Sequence, residues 1–350
     1  MADFKTYTAI GQREDLSNTI YSIAPTETPV VSSIGKTKAT ATYHEWQTDT
    51  LAAAVATGLK EGDDASGASD TPTVRVGNRT QIQGKTVHIS GTLDAVDKAG
   101  RKSETAYQLA KAGQELKRDM EKTILGNVAQ NAGNASTARL LGSIQSWLLT
   151  NYVTEATAGS PAGPANGNGT ATRTSAGKTN YLAFGEDKLK ECVKKVFESG
   201  GNPTLLVVPP TQKQAVSAFT GIAAQRYMAP GDKQSTIVGA ADVYMSDFGT
   251  LSVVPDRFMT PDGATDSPVT ASGEQALVLD PTMASIATLR PFQSNLLAKT
   301  GDSEKHQMLV EYTLQVSNEK AHGIVADLIV AQHYYAVPDY VGGTNHISGS

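Results

Sequence analysis

The chain has 350 residues, 39% hydrophobic and 19% charged, which excludes general disorder and leaves room for two or three domains. A formal net charge of −5 argues against a protein whose main task is gripping nucleic acid, and the single cysteine, Cys192, excludes an intrachain disulfide and suits a reducing compartment. The opening MADFKTYTAI lacks the apolar centre of a secretory leader, and no apolar run approaches the roughly 20 residues of a membrane span, so a soluble product is expected.

In residues 1–36, Leu16, Ile20 and Ile23 fit one side of a short helix that APTETP then breaks. So few apolar groups cannot stabilise a segment alone, and this arm must find its surface elsewhere. Residues 37–90 read as a long two-stranded flap in which Val74, Val76, Ile82, Val87 and Ile89 recur. The flap carries KEGDDASGASD at 60–70, with four carboxylates and nothing apolar larger than alanine. Next, Ala106, Leu109, Gly113, Leu116, Met120, Ile124 and Val128 step by three or four, with Ser103 as N-cap. The pattern predicts a spine helix over about 103–130, ~40 Å long at 1.5 Å per residue. Residues 154–179 offer almost no side chain able to pack and read as a mobile surface loop.

Beyond that loop, Leu189, Cys192, Val193, Val196 and Phe197 form a helical stripe that two glycines end. TLLVV and TQKQAVSAF complete an αβα unit, and short strands follow at DVYM, LSVVP, QALVLD and SIATLR. In QMLVEYTLQVS, Met308, Val310, Tyr312, Leu314 and Val316 alternate with Glu311, Thr313, Gln315 and Ser317, the pattern of a half-buried strand. This order of elements indicates α+β rather than repeating βαβ.

The chemistry-bearing motifs fail one by one. GKT occurs at 35–37, 84–86 and 177–179, but the glycine a phosphate-binding loop requires five positions earlier is replaced by Val30, Arg79 and Thr172. GNGTAT at 167–172 lacks the third glycine of a dinucleotide fingerprint and reads as a flexible tip. The six histidines (His44, His88, His306, His322, His333, His346) show no metal-ligand spacing. Cys192 lies on the apolar stripe of its helix, as a buried, inert thiol would. A solvated acidic face accounts for the carboxylates of 61–70 more simply than a divalent-cation site does. The expectation is therefore no catalytic residue, no cofactor and no metal.

The series of arm, flap, spine, α/β unit and closing strand resembles that of tailed-phage major capsid proteins with the HK97-like fold. The likeness also lies in GQREDLSNTIYSIAPTETPVVSSIG, YHEWQTDTLAAA with EGDDA, GNRTQI, SGTLDAVDKAGRKSETAYQLAKAGQELKRDMEKTIL, SWLLTN and EYTLQVSNEKAHGIVADL. Together these cover about residues 1–330; the loop 154–179 and the end YYAVPDYVGGTNHISGS lie outside the likeness. The resemblance implies an N-terminal arm (1–36), an extended β-loop (37–90) and a peripheral domain with the spine helix (91–150 and 301–335). It further implies an axial α/β domain (151–300) and a C-terminal tail (336–350).

It also implies a structural protein that assembles as hexamers and pentamers into an icosahedral head around double-stranded DNA. Its expected partners are further copies of itself, a portal, scaffolding and decoration proteins, and DNA touched without sequence reading, with no membrane. Its place would be the virion, assembled in the bacterial host cytoplasm. The flap would lie over a neighbouring subunit, which makes Trp46, Glu61, Asp63, Asp64, Arg75 and Arg79 the interface candidates. A nanocompartment shell protein of the same fold is the alternative, and a flap-covered α/β hydrolase a more distant one.

Overall fold

In the computed structural model, the residues described are 26–56, 58, 60–62, 64, 71–96, 103–154, 163–164, 166–173, 182–219, 242–259 and 274–329. The alternating strand read from the sequence is β11 (Ser303–Val316), and Val310, Tyr312, Leu314 and Val316 are all buried on one face. It lies between β10 (Ala284–Leu296) and β4 (Gln81–Ser90), antiparallel to both, and β1 (Gly35–Lys38) closes the sheet parallel to β10. The register of β10 on β11 shifts on either side of Arg290, next to Pro291, which has no N–H to give the ladder. Beyond this irregularity β10 leaves the core, and Phe292 and Leu296 are exposed.

The second face of β11 is not the solvated face that the alternation predicts. Glu311 and Thr313 are buried there. The Glu311 carboxylate accepts from Thr80 Oγ1 at 2.8 Å, from Arg290 Nε at 2.7 Å and from Arg139 Nη2, so its charge is fully paired. Charged residues supplied by distant parts of the chain permit this burial.

The spine is α3 (Glu104–Leu125), whose Ser103 Oγ accepts from Ala106 N and whose Ala112, Leu116, Met120 and Ile124 are buried across β4 and β11. It ends at Gly126, short of the expected 130. The backbone that follows is held by side chains instead: Asn127 Nδ2 donates to Arg173 O, and Ser143 Oγ accepts from Val128 N. A short helix α1 (Pro29–Ser33) packs on the spine through the buried Val30, and α2 (Gly91–Ala95) follows β4. The arm helix read at Leu16–Ile23 lies outside the described residues.

A six-stranded sheet runs β5 (Tyr152–Val153), β12 (Gly323–Val325), β9 (Ala276–Leu279), β6 (Leu205–Val208), β8 (Gly249–Pro255), β7 (Val243–Ser246). Strand β6 is buried on both faces: Leu205 and Val207 face the core shared with α3 and β11, while Leu206 and Val208 face the second core. There α4 (Glu186–Glu198) contributes Leu189, Cys192 and Val193, and α5 (Pro210–Ser217) adds Val216. Burial pushes the Cys192 thiol up to about 12, as expected for an inert thiol. Phe197, assigned to the same stripe by spacing, is instead exposed and stacks on Phe248 with ring centres 4.7 Å apart.

The strands cross the expected limits. Strand β10, expected within the axial span 151–300, belongs to the four-stranded sheet, and β12, expected within 301–335, belongs to the six-stranded one. Strand β4, expected within the flap 37–90, is paired along ten residues with β11.

The loop expected to be mobile is folded at its described positions. Gly169 N donates to Ser146 O and Gly169 O accepts from Gln130 N, while Arg173 is buried and pairs with Asp327 at 2.8 Å. Gly169 has φ +77° and lies so close to the Trp147 indole that a Cβ would fall 2.8 Å from it. Glycine at 169 lets the backbone lie directly on the Trp147 ring.

Candidate subunit interface

The part of the flap that leaves the sheets is the hairpin β2 (Tyr43–Thr48) and β3 (Val74–Arg79), with the connection between them. Its base is fixed by Asn78, which is fully buried and whose Nδ2 donates to Gly142 O and Leu314 O at 2.9 and 2.7 Å. Asn78 Oδ1 accepts from Gly142 N at 2.8 Å. One amide side chain thus stitches the hairpin to two separate segments of the body. Next to it, Gly77 packs against the facing strand, where a Cβ would lie 2.7 Å from His44 O. His44 Nε2 and Gln315 Oε1 are 3.0 Å apart, a second tie from hairpin to β11.

The five described interface candidates fall in four places. Trp46 turns inward: its ring centre lies 5.3 Å from that of Trp147, at the edge of the main core. Arg79 sits at the base with its guanidinium 4.8 Å over the Tyr43 ring. Arg75 is on the exposed outer part of the hairpin, paired across the strands with Glu45 at 2.9 Å. Glu61 and Asp64 are exposed on the distal connection, and Asp63 lies outside the described residues. Trp46 and Arg79 are thus engaged within their own chain, and only Arg75, Glu61 and Asp64 are presented outward.

Sequence reasoning passed over two features here. Residues 51–56, LAAAVA, form no helix or strand and are exposed throughout, with Leu51 97% and Val55 80% accessible. An apolar run beside an acidic stretch is visible in the sequence, but whether the body covers it is not. Asn78 was missed because nothing local marks an asparagine whose partners are 64 and 236 residues away.

Among the described residues no group of three or more His, Cys, Asp or Glu could hold a metal ion, and no helix is long and apolar enough to cross a membrane. What this region offers is an exposed apolar run over 51–56 with the exposed carboxylates Glu61 and Asp64 after it, joined to a hairpin whose base is hydrogen-bonded to the body.

A family model described as SU10 major capsid protein matches residues 3–329. A curated protein of Escherichia phage Phieco32, described as a major capsid protein, is 30% identical over an alignment of 233 residues that covers 59% of this chain and 66% of that protein. The match thus spans just under two thirds of that relative's length. Among solved structures, one of Mycobacterium phage Ogopogo is similar with TM-score 0.57 and 16% identity, covering 93% of this chain and 100% of that one. The capsid of a native GTA particle gives TM-score 0.56 and 11% identity, covering 93% and 97%. The holo-SrpI encapsulin complex from Synechococcus elongatus PCC 7942 gives 0.52 and 11%, covering 92% and 94%. At such identities the likeness is one of fold.

Proposed function

The chain belongs to the SU10 major capsid protein family, with the HK97-like fold, and on that premise we propose that it self-assembles as hexamers and pentamers into the icosahedral head of a tailed bacteriophage. The head encloses the double-stranded DNA genome. The protein acts structurally, without catalytic turnover or cofactor, in a virion assembled in the bacterial host cytoplasm.

One observation carries the reading: the exposed apolar run 51–56, with Leu51 and Val55, extends from a hairpin anchored firmly at its base. Such surface is unfavourable in water and is stabilised when a neighbouring copy covers it. Contacts between permanently associated subunits can exceed ~2,000 Å², and closed symmetry repeats each gain over many copies.

The exposed carboxylates Glu61 and Asp64 then set register against a basic surface of the neighbour. Portal, scaffolding and decoration proteins are the further partners of such a head. With a net charge of −5, the DNA is met by local lysines and arginines without reading of its sequence.

The test is negative-stain microscopy beside sedimentation of the purified chain across concentration and ionic strength. Closed shells of many copies are expected. A stable folded monomer under every assembly condition would overturn the reading, and small nucleic-acid-free shells around a protein cargo would favour the nanocompartment instead.

A further inference from the structure

Three segments far apart in sequence meet at one buried carboxyl group. Glu121, on the core side of α3, has no solvent exposure. Its Oε1 accepts from Val30 N at 2.7 Å and its Oε2 from Val31 N at 2.8 Å, the first amides inside α1. Its third partner is the side chain of Asp256, on the loop that follows β8. Asp256 is equally buried. Its Oδ1 accepts from Phe258 N at 2.7 Å, while Oδ2 is buried and, among the described residues, receives no N–H or O–H apart from what a protonated Glu121 can offer. Two carboxylates cannot satisfy one another in a dry site, and one proton between them satisfies both.

The charged side chains on the elements that meet here are Arg118, Asp119 and Lys122 of α3, Asp256 and Arg257 of the loop, and Glu27 before α1. Lys122, Arg257 and Glu27 are exposed, and Asp119 is paired with Lys85 at 2.8 Å. Arg118 lies over the Phe258 ring, 5.5 Å from its centre, and pins the same loop to the spine.

We propose that Glu121 and Asp256 share one proton and act as a pH-operated latch, tightened by acid and released by base, that fastens α1 to the spine helix and to the loop after β8. Glu121 donates its O–H to Asp256 while still accepting both α1 amides. When α1 and the loop separate from the spine, water solvates the two carboxylates and the proton passes to solvent. Burial, reinforced by the hydrogen bond to Asp256, holds the Glu121 carboxyl up to about 8 against an ordinary value of 4.5, although the two amides pull the other way. The sign follows from this raised value. The closed latch keeps its proton up to about pH 8, whereas the opened one loses it above about 4.5. Closure is therefore tightest below pH 4.5, weakens by up to about tenfold per pH unit between 4.5 and 8, and is independent of pH above that.

Hydrogen exchange on the full-length chain tests the latch, followed in segments 26–34 and 256–259 from pH 5 to 9. The wild type is compared at each pH with Glu121→Gln and Asp256→Asn, which cancels the intrinsic pH dependence of exchange. Relative to Glu121→Gln, wild-type protection of both segments should fall at least tenfold between pH 5 and 8 and then level off, and Asp256→Asn, which keeps the buried Glu121, should level off at a lower pH than the wild type. A parallel pH course in wild type and Glu121→Gln would overturn the proposal. Infrared spectroscopy of the wild type alone covers the case in which neither variant folds: a protonated buried carboxyl band at pH 7, lost on unfolding, is required. Its absence would equally sink the latch.

Discussion

Arg173 and Asp327 form an ion pair with neither side chain exposed, at 2.8 Å, and Asp327 also accepts from Thr154 Oγ1 at 2.8 Å. Replacing the guanidinium by an apolar stem of similar length leaves the carboxylate buried without its cation. Arg173→Met should therefore cost about 3–5 kcal/mol of stability, measured by urea unfolding. A second titration belongs to His322, which burial holds down to about 4 as the neutral ring, with Nδ1 accepting from Asp280 N. Its folded value lies below the ordinary 6.5, so its contribution is complete above that pH and is lost as pH falls from 6.5 towards 4. The whole window is worth about 3 kcal/mol. His322→Gln, which keeps an acceptor, should flatten the stability profile between pH 6.5 and 4; an unchanged slope would assign the acid sensitivity elsewhere.

Among the elements, the spine helix depends most on its one buried stripe. Leu116 is fully buried at its middle, facing the four-stranded sheet, and Leu116→Ala should lower stability by about 2–5 kcal/mol on thermal melting. That stripe was legible in the sequence, as were the apolar face of β11 from its alternation, α4 from its 3.6 period apart from Phe197, and β6 from its short unbroken apolar run. The end of α3 and the second, polar face of β11 were not legible. Both are decided by groups arriving from elsewhere, the Arg173 carbonyl with the Ser143 hydroxyl in one case and the Arg139 and Arg290 side chains in the other. The folded part of 163–173 was hidden for a different reason: glycine backbone against the Trp147 ring and one buried arginine hold it, and neither leaves a periodic signature. Of the interface candidates, the outward position of Glu61 and Asp64 agrees with their charge. Trp46 is an aromatic that serves core or surface equally well by composition, and only its packing on Trp147 decides between them.

For the whole molecule, assembly and folding should be separable at the distal hairpin. Leu51 and Val55 are almost fully exposed, so Leu51→Asp with Val55→Asp should leave circular dichroism and melting within ~0.5 kcal/mol of wild type. The same pair should prevent or strongly delay shell formation in sedimentation. Reversing Glu61 and Asp64 to lysine should also impair assembly, but through charge, and should recover in part at 1 M salt, where the Debye length is ~3 Å. The aspartates at 51 and 55 should not recover in this way, because screening does not restore lost apolar burial. A different consequence follows from the parallel pairing of β1 with β10, which joins Gly35 to Ser285. A ribosome adding about 5–20 residues per second needs on the order of 10–50 s to bridge those 250 positions. Throughout that interval β10 and β11, against which β1 and the base of the hairpin rest, have not both been synthesised. A nascent chain thus exposes Leu51 and Val55 before the strand that ties the base of its hairpin, through Leu314 and Gln315, has left the ribosome.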